Sequence, residues 1–193
     1  MANFLEAFNI TLKHEGGYAN NPNDKGGETY QGIARNYWPD WIGWHYLDGI
    51  LNKSWNAIYA ELNGFVADFY YENFWLKFRL EEVKNQDIGN QLYDWFMNSG
   101  RAVEQVQKVL NGLGESLAVD NKIGTKTIAA INRINPQILN AKIIEARKNY
   151  YETLVNKGLL DSSFLNGLLA RAESFKNTVV DSVGKPPPPM GRA

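Results

Sequence analysis

The chain has 193 residues, 44% of them hydrophobic and 21% charged. That is enough for one domain, or two closely packed lobes, burying about 70% of the unfolded surface. With 20 Lys and Arg against 21 Asp and Glu, the net charge of −1 offers no whole-chain attraction to nucleic acid or to an anionic wall. The absence of cysteine excludes disulfides and thiolate-bound metal, and two histidines, His14 and His45, are too few for a His-rich zinc centre; no metal and no cofactor are expected.

Phe4, Leu5, Phe8 and Leu12 fall at helical spacing, with Asn3 as N-cap and Glu6 where a capping box places its acid. Gly16-Gly17 is the expected stop, which leaves Glu15 in the last turn. An anion there sits at the wrong end of the helix dipole, at a cost of roughly 0.3–1 kcal/mol when exposed. The same field favours the protonated carboxyl, as a general acid requires. The competing reading is a surface glutamate screened by water.

From Gly16 to Gly32 the chain is dense in Gly, Asn, Asp and Pro, which is turn chemistry. Thr29-Tyr30-Gln31 is a brief strand-like piece between turns. The expected result is a small irregular β-rich flap hung on the first helix, one wall of a cleft with Glu15 at its base. Asp24, Glu28, Thr29, Tyr30 and Gln31 offer hydrogen-bonding groups to that cleft.

Ile33 to Tyr37 reads as a short helix ending before Trp38-Pro39. Tyr37, Trp38, Trp41, Trp44 and Tyr46 follow; most are expected in the core, with one or two lining a saccharide groove. Asn52 or Ser54 caps a helix to about Leu62, Gly64 marks a break, and Phe65, Val66, Phe69, Tyr70 and Phe74 pattern the next helix. Leu80 to Asn85 reads as a polar connector. Asp87 is the expected cap of a central helix with Ile88, Leu92, Trp95 and Phe96 as its buried stripe, and Asn98 stands at its end. Further helices are expected over 102–110, from Thr125 through Ile131, from Pro136 through about Leu154, and around Phe164 to Phe175, the last with Arg171 on a neighbouring face. Gly184-Lys185 and the four prolines after them cannot continue a helix.

Several of these stretches, in this order, carry a resemblance. Glu-Gly-Gly-Tyr at 15–18 with Asn-Pro-Asn-Asp-x-Gly-Gly-Glu-Thr-Tyr-x-Gly-Ile at 21–33 is similar to the opening of glycoside hydrolase family 108. Phe69 to Trp75, the Asp-x-x-x-Asn-x-Gly of 94–100, and Val119 to Thr127 resemble later segments of the same family, the last in its peptidoglycan-binding-like part. The resemblance spans roughly residues 5 to 180.

It implies a mainly α, two-lobed lysozyme-like fold with a β-rich flap after the first helix. Residues 1–100 would form the catalytic region, 101–182 a helical lobe packed on it, and 183–193 a Pro-rich tail. It implies an N-acetylmuramidase with Glu15 as general acid. The second role stays open: Asp24 is the candidate, as base for water, electrostatic stabiliser or merely a loop-building residue, and Thr29 or Tyr30 could instead position the water. Tyr18, Thr29, Tyr30, Gln31, Asn98 and Tyr151 are the candidate substrate residues. The expected partner is the peptidoglycan glycan strand, with no nucleic acid, no membrane insertion and a monomeric chain. With neither a leader nor an apolar span expected, delivery to the wall would fall to a holin or a dedicated export route. A lytic transglycosylase and an inert wall-binding or secretion-accessory scaffold are the rival readings.

Overall fold

The computed structural model describes residues 1–12, 17–20, 26–49 and 55–176, apart from the side chains of 55–61. Glu15, Asp24, Asn52, Ser54 and the Pro-rich tail lie outside the described residues. The fold is mainly helical, with one small antiparallel sheet.

Helix α1 (Phe4–Leu12) lies alongside α4 (Gln86–Asn98), around which the molecule is built. Every residue of α4 from Ile88 to Phe96 is buried, as expected of a central helix. Asn3 does cap α1, its Oδ1 accepting from the Glu6 N–H at 3.1 Å. The reciprocal half of the capping box does not form. The Asn3 N–H goes instead to Gln86 Oε1 at 2.6 Å, and the Glu6 carboxylate accepts from Asn90 Nδ2 at 3.1 Å. Those two pairings advance together along both helices, so α1 and α4 run parallel and finish at the same end of the molecule. The cap of α4 is Asn85, whose Oδ1 accepts from Ile88 N at 3.0 Å; Asp87, the expected cap, is the second residue inside the helix.

The flap is a three-stranded antiparallel sheet of β1 (Tyr18–Asn20), β2 (Glu28–Tyr30) and β3 (Ile33–Ala34). Ile33 begins a strand rather than the expected helix because the chain reverses at Gln31-Gly32, with φ of 44° and 82°. Positive φ at both central residues is the two-residue hairpin turn whose twist matches its strands, and Gly32 takes it without a steric penalty. Tyr30 therefore pairs directly with Ile33, and both are buried.

Helix α2 (Gly43–Asp48) packs against α3 (Trp55–Tyr70). Gly43 admits the Trp41 ring so closely that a Cβ there would lie 2.2 Å from it. The break expected at Gly64 is absent, since α3 runs through it. Gly64 is on the exposed face, where glycine costs about 1 kcal/mol relative to alanine. Burial of Leu62, Val66, Phe69 and Tyr70 on the other face outweighs that cost. The helix continues as a π-helical turn, Tyr71–Leu76, and Arg79 at φ 54° ends the run. Leu80–Glu82 forms a 3₁₀ turn with Leu80 and Val83 fully buried, so the connector is anchored rather than polar throughout.

The second half comprises α5 (Ala102–Gly112), α6 (Thr125–Arg133), α7 (Pro136–Asn156), a 3₁₀ turn (Ser162–Phe164) and α8 (Leu165–Glu173). Asn135 caps α7 with Pro136 at its first position, as expected. Phe164, placed at the start of the last apolar stripe by its spacing, is 62% exposed in the 3₁₀ turn instead. One contiguous core joins the two halves, from Ala7 and Leu92 to Leu110, Ile143 and Tyr151.

The two halves are also locked by a buried ion cluster. Asp94 of α4 is fully buried; its Oδ2 accepts from Arg147 Nη2 of α7 at 2.6 Å, and its Oδ1 from Arg171 Nη2 of α8 at 2.7 Å. Arg147, also fully buried, donates Nε to Tyr151 Oη at 3.0 Å, and its guanidinium lies within 6 Å of the Trp95, Tyr151 and Phe175 ring centres. Removing one partner of such a cluster strands a charge in a medium that cannot solvate it. Asp94→Ala is expected to lower stability by about 3–5 kcal/mol, measured by urea unfolding.

Burial pushes the Tyr151 phenol above its ordinary value, against the opposing charge and hydrogen bond of Arg147. The fold thus holds the neutral phenol. That contribution is intact below pH about 10 and is lost as pH rises beyond it, because the unfolded chain ionises first. Tyr151→Phe is expected to cost about 1–3 kcal/mol at neutral pH by leaving Arg147 Nε unpaired. The gap between wild type and variant, followed by urea unfolding, narrows as pH is raised past 10.

Candidate active-site cleft

At the C-terminal end of α4 the surface opens into a cleft of about 840 Å³, bounded by the last turn of α4, by α7 and by α8. Its lining includes Asn98, Tyr150, Tyr151, Leu168 and Arg171. Two of the expected substrate residues, Asn98 and Tyr151, are therefore brought together from positions 53 apart in sequence. Asn98 is the last residue of α4; its side chain is exposed and donates Nδ2 to the Asp94 carbonyl at 2.7 Å. That bond holds the amide at the cleft edge with its oxygen available to a ligand. Tyr151 is only 4% exposed, and its hydroxyl is engaged by Arg147. It forms the base of the cleft rather than an arm that reaches outward.

The remaining described candidates sit on the hairpin sheet. Tyr18 is half exposed and lies opposite Tyr30 in the register. Its phenol is raised by partial burial first, and then by its hydrogen bond to the Glu28 carboxylate. Thr29, on the middle strand, is part-buried and donates Oγ1 to the Gly27 carbonyl at 3.3 Å, leaving the hydroxyl oxygen able to accept. Tyr30 is 1% exposed and stacks on Trp41 at 6.1 Å, a core position from which it does not line a cleft.

Gln31 is held from three directions. Its N–H donates to the Gly17 carbonyl at 3.1 Å, its carbonyl accepts from Tyr70 Oη at 2.7 Å, and Nε2 donates to Asn63 Oδ1 at 3.3 Å. The hairpin tip is thereby tied to α3, and the strand after Glu15 is tied to the hairpin tip. Behind the sheet, Arg35 bridges Glu28 at 2.7 Å and Asp48 at 2.7 Å while lying over the Trp44 ring.

Residue pattern alone does not reveal the cluster of Asp94, Arg147 and Arg171. A signal was present. Leu139, Ile143, Arg147 and Tyr151 recur every fourth residue on the buried face of α7, and a charge in that apolar series needs a buried counter-charge. Tyr70 was read only as a packing residue; nothing in its helical spacing reveals that its hydroxyl would anchor the hairpin.

Two family models match the chain in tandem. Glycosyl hydrolase 108 matches residues 8–100, and a predicted peptidoglycan domain matches residues 101–173. Comparison with curated proteins gives no match. Among solved structures, the chain is similar to that of Brucella abortus SagA, with 25% identity and a TM-score of 0.56, over 90% of this chain and 95% of that one. The fold is mainly helical and lysozyme-like, and the two models abut where α4 gives way to α5: residues 8–100 belong with glycosyl hydrolase 108 and residues 101–173 with the peptidoglycan domain, which together support a glycoside hydrolase that acts on peptidoglycan, in the cell wall.

Proposed function

We propose that the chain is an N-acetylmuramidase, a lysozyme that hydrolyses the β-1,4 bond between N-acetylmuramic acid and N-acetylglucosamine, with Glu15 as general acid. The observation that carries this reading is the convergence of elements around the segment that holds Glu15. Helix α1 ends at Leu12 and runs parallel to α4, whose last residue, Asn98, lines a cleft with Tyr151. On the other side, Gly17 is bonded to the hairpin tip at Gln31. Three residues of chain separate Leu12 from Glu15, a tether of no more than about 11 Å. The chain that carries Glu15 joins α1 to the hairpin in sequence, which supports Glu15 as the acid.

In this reading the Glu15 carboxyl gives its proton to the departing glycosidic oxygen as the C–O bond breaks and oxocarbenium character grows on the muramic acid ring. Water completes the reaction, its hydroxyl joining the anomeric carbon and its proton passing to a carboxylate. Asp24 is the second carboxyl, as base for that water or as electrostatic stabiliser, and Thr29 Oγ1 is the candidate to orient it. Tyr30 drops out of that role because it is buried against Trp41. A separation of the two carboxyls near 5–5.5 Å implies retention, and near 6.5–9.5 Å inversion. Residues 1–100 then supply acid and hairpin, and the lobe from 101 onward the opposing wall.

Glu15→Gln is expected to reduce the release of soluble muropeptides from purified sacculi by about 10²–10⁴-fold with an unchanged melting temperature. Mass spectrometry of the wild-type products should show reducing N-acetylmuramic acid ends. Equal rates for variant and wild type would remove Glu15 from the mechanism, and 1,6-anhydro ends would replace hydrolysis with transglycosylation.

A further inference from the structure

We propose that Tyr70 is a positioning residue for the reaction: its side chain fixes the hairpin relative to α1, the two elements between which Glu15 lies in sequence. That these elements carry the acid rests on the muramidase reading above; the contacts of Tyr70 do not.

Tyr70 is the last residue of α3 and is 4% exposed. Its ring packs against Phe8 of α1 at 5.9 Å, Phe69 at 5.2 Å and Phe74 at 5.5 Å between centroids. All three of these neighbours are phenylalanines, so apolar packing alone gives no reason for a hydroxyl here. Burying one is unfavourable unless it is bonded. The Tyr70 hydroxyl donates to the main-chain carbonyl of Gln31 at 2.7 Å, across 39 positions of sequence. One side chain thus touches α1 with its ring and the hairpin tip with its oxygen.

The tip needs such a restraint. Gln31 has φ of 44°, a left-handed backbone that is strained for most side chains. Two-residue turns of this kind favour Asn-Gly, because the short asparagine side chain tolerates that region; glutamine has no such advantage. A conformation of this sort persists only where the surroundings hold it. The Gln31 carbonyl takes the Tyr70 bond, and the Gln31 N–H donates to the Gly17 carbonyl at 3.1 Å. Gly17 directly precedes β1 and follows Glu15 by two positions. Removing the hydroxyl takes away that donor and lets the strained turn relax. A shift of the tip carries β1 and Thr29 with it, because β1 and β2 form one ladder ending at the turn. Displacing a catalytic group by about 1 Å costs on the order of 10²-fold in rate.

The test compares Tyr70→Phe with wild type on soluble, uncrosslinked peptidoglycan strands. The variant keeps the ring and loses only the hydroxyl. It is expected to lower kcat about tenfold or more, with KM within about twofold of wild type and a melting temperature about 2–4 °C lower. Asn135→Ala removes the cap of α7 at a similar cost in melting temperature and is the control for stability; its kcat should match wild type. Amide hydrogen exchange gives a second readout. Exchange at the Gln31 N–H should quicken in Tyr70→Phe well beyond any change in Asn135→Ala. An unchanged kcat in Tyr70→Phe, an equal loss of kcat in Asn135→Ala, or unaltered Gln31 exchange would each overturn the proposal. Failure of the muramidase reading shows separately. A fully active Glu15→Gln, or 1,6-anhydro product ends, would remove that reading, whereas the kcat of Tyr70→Phe is scored on the same strands whichever chemistry cleaves them.

Discussion

A single carboxylate carries the architecture. Asp94 lies at zero exposure in the middle of the central helix and is balanced by two guanidiniums, one from each of the last two long helices. Such a group is tolerated in a core only when its lone pairs are filled by well-aligned donors. Filling them requires α7 and α8 to dock on α4 in one register. A slide of one turn, about 5.4 Å, would break the bonds and leave charge stranded. The cleft at the end of α4 is a direct consequence, since Tyr151 and Arg171 belong both to the cluster and to the lining.

The opposite wall is set by hydrogen bonds rather than charge. A sheet with strands of two or three residues has too little buried surface to hold a position by packing alone. The left-handed Gln31 compensates with two backbone bonds and one from its side chain, so the hairpin tip is fixed on α3 through Tyr70 and Asn63 and on the chain after Glu15 through Gly17. One lobe thus brings a rigid helical face and the other a pinned hairpin. Glycoside hydrolysis suits that division, because its two catalytic groups flank the scissile bond.

Much of this was legible in the residues. The apolar stripe of α4, the Asn135-Pro136 start of α7 and the β-rich flap follow from spacing and turn chemistry, which are local properties. The departures trace to particular partners. Ile33 to Ala34 became a strand because the Gln31-Gly32 turn returned it to β2, a pairing that short-range helix propensity does not register. Gly64 failed to break α3 because the buried face outweighs a cost of about 1 kcal/mol. Glu6 left its capping box for Asn90, and Asn85 displaced Asp87 as cap, because partners more than eighty residues away or two residues earlier were better placed.

The amino-acid order by itself determined the helical class, the order of the elements, the flap after the first helix and the family, all of which depend on motifs and periodicities read within a few turns of chain. Tertiary structure alone decided that Asn98 and Tyr151 share a cleft, that Tyr30 is buried against Trp41, and that Asp94 is paired with Arg147 and Arg171. These are relations between residues distant in sequence. Their energies come from desolvation and from the geometry of packed helices, and neither quantity exists until the chain has closed on itself.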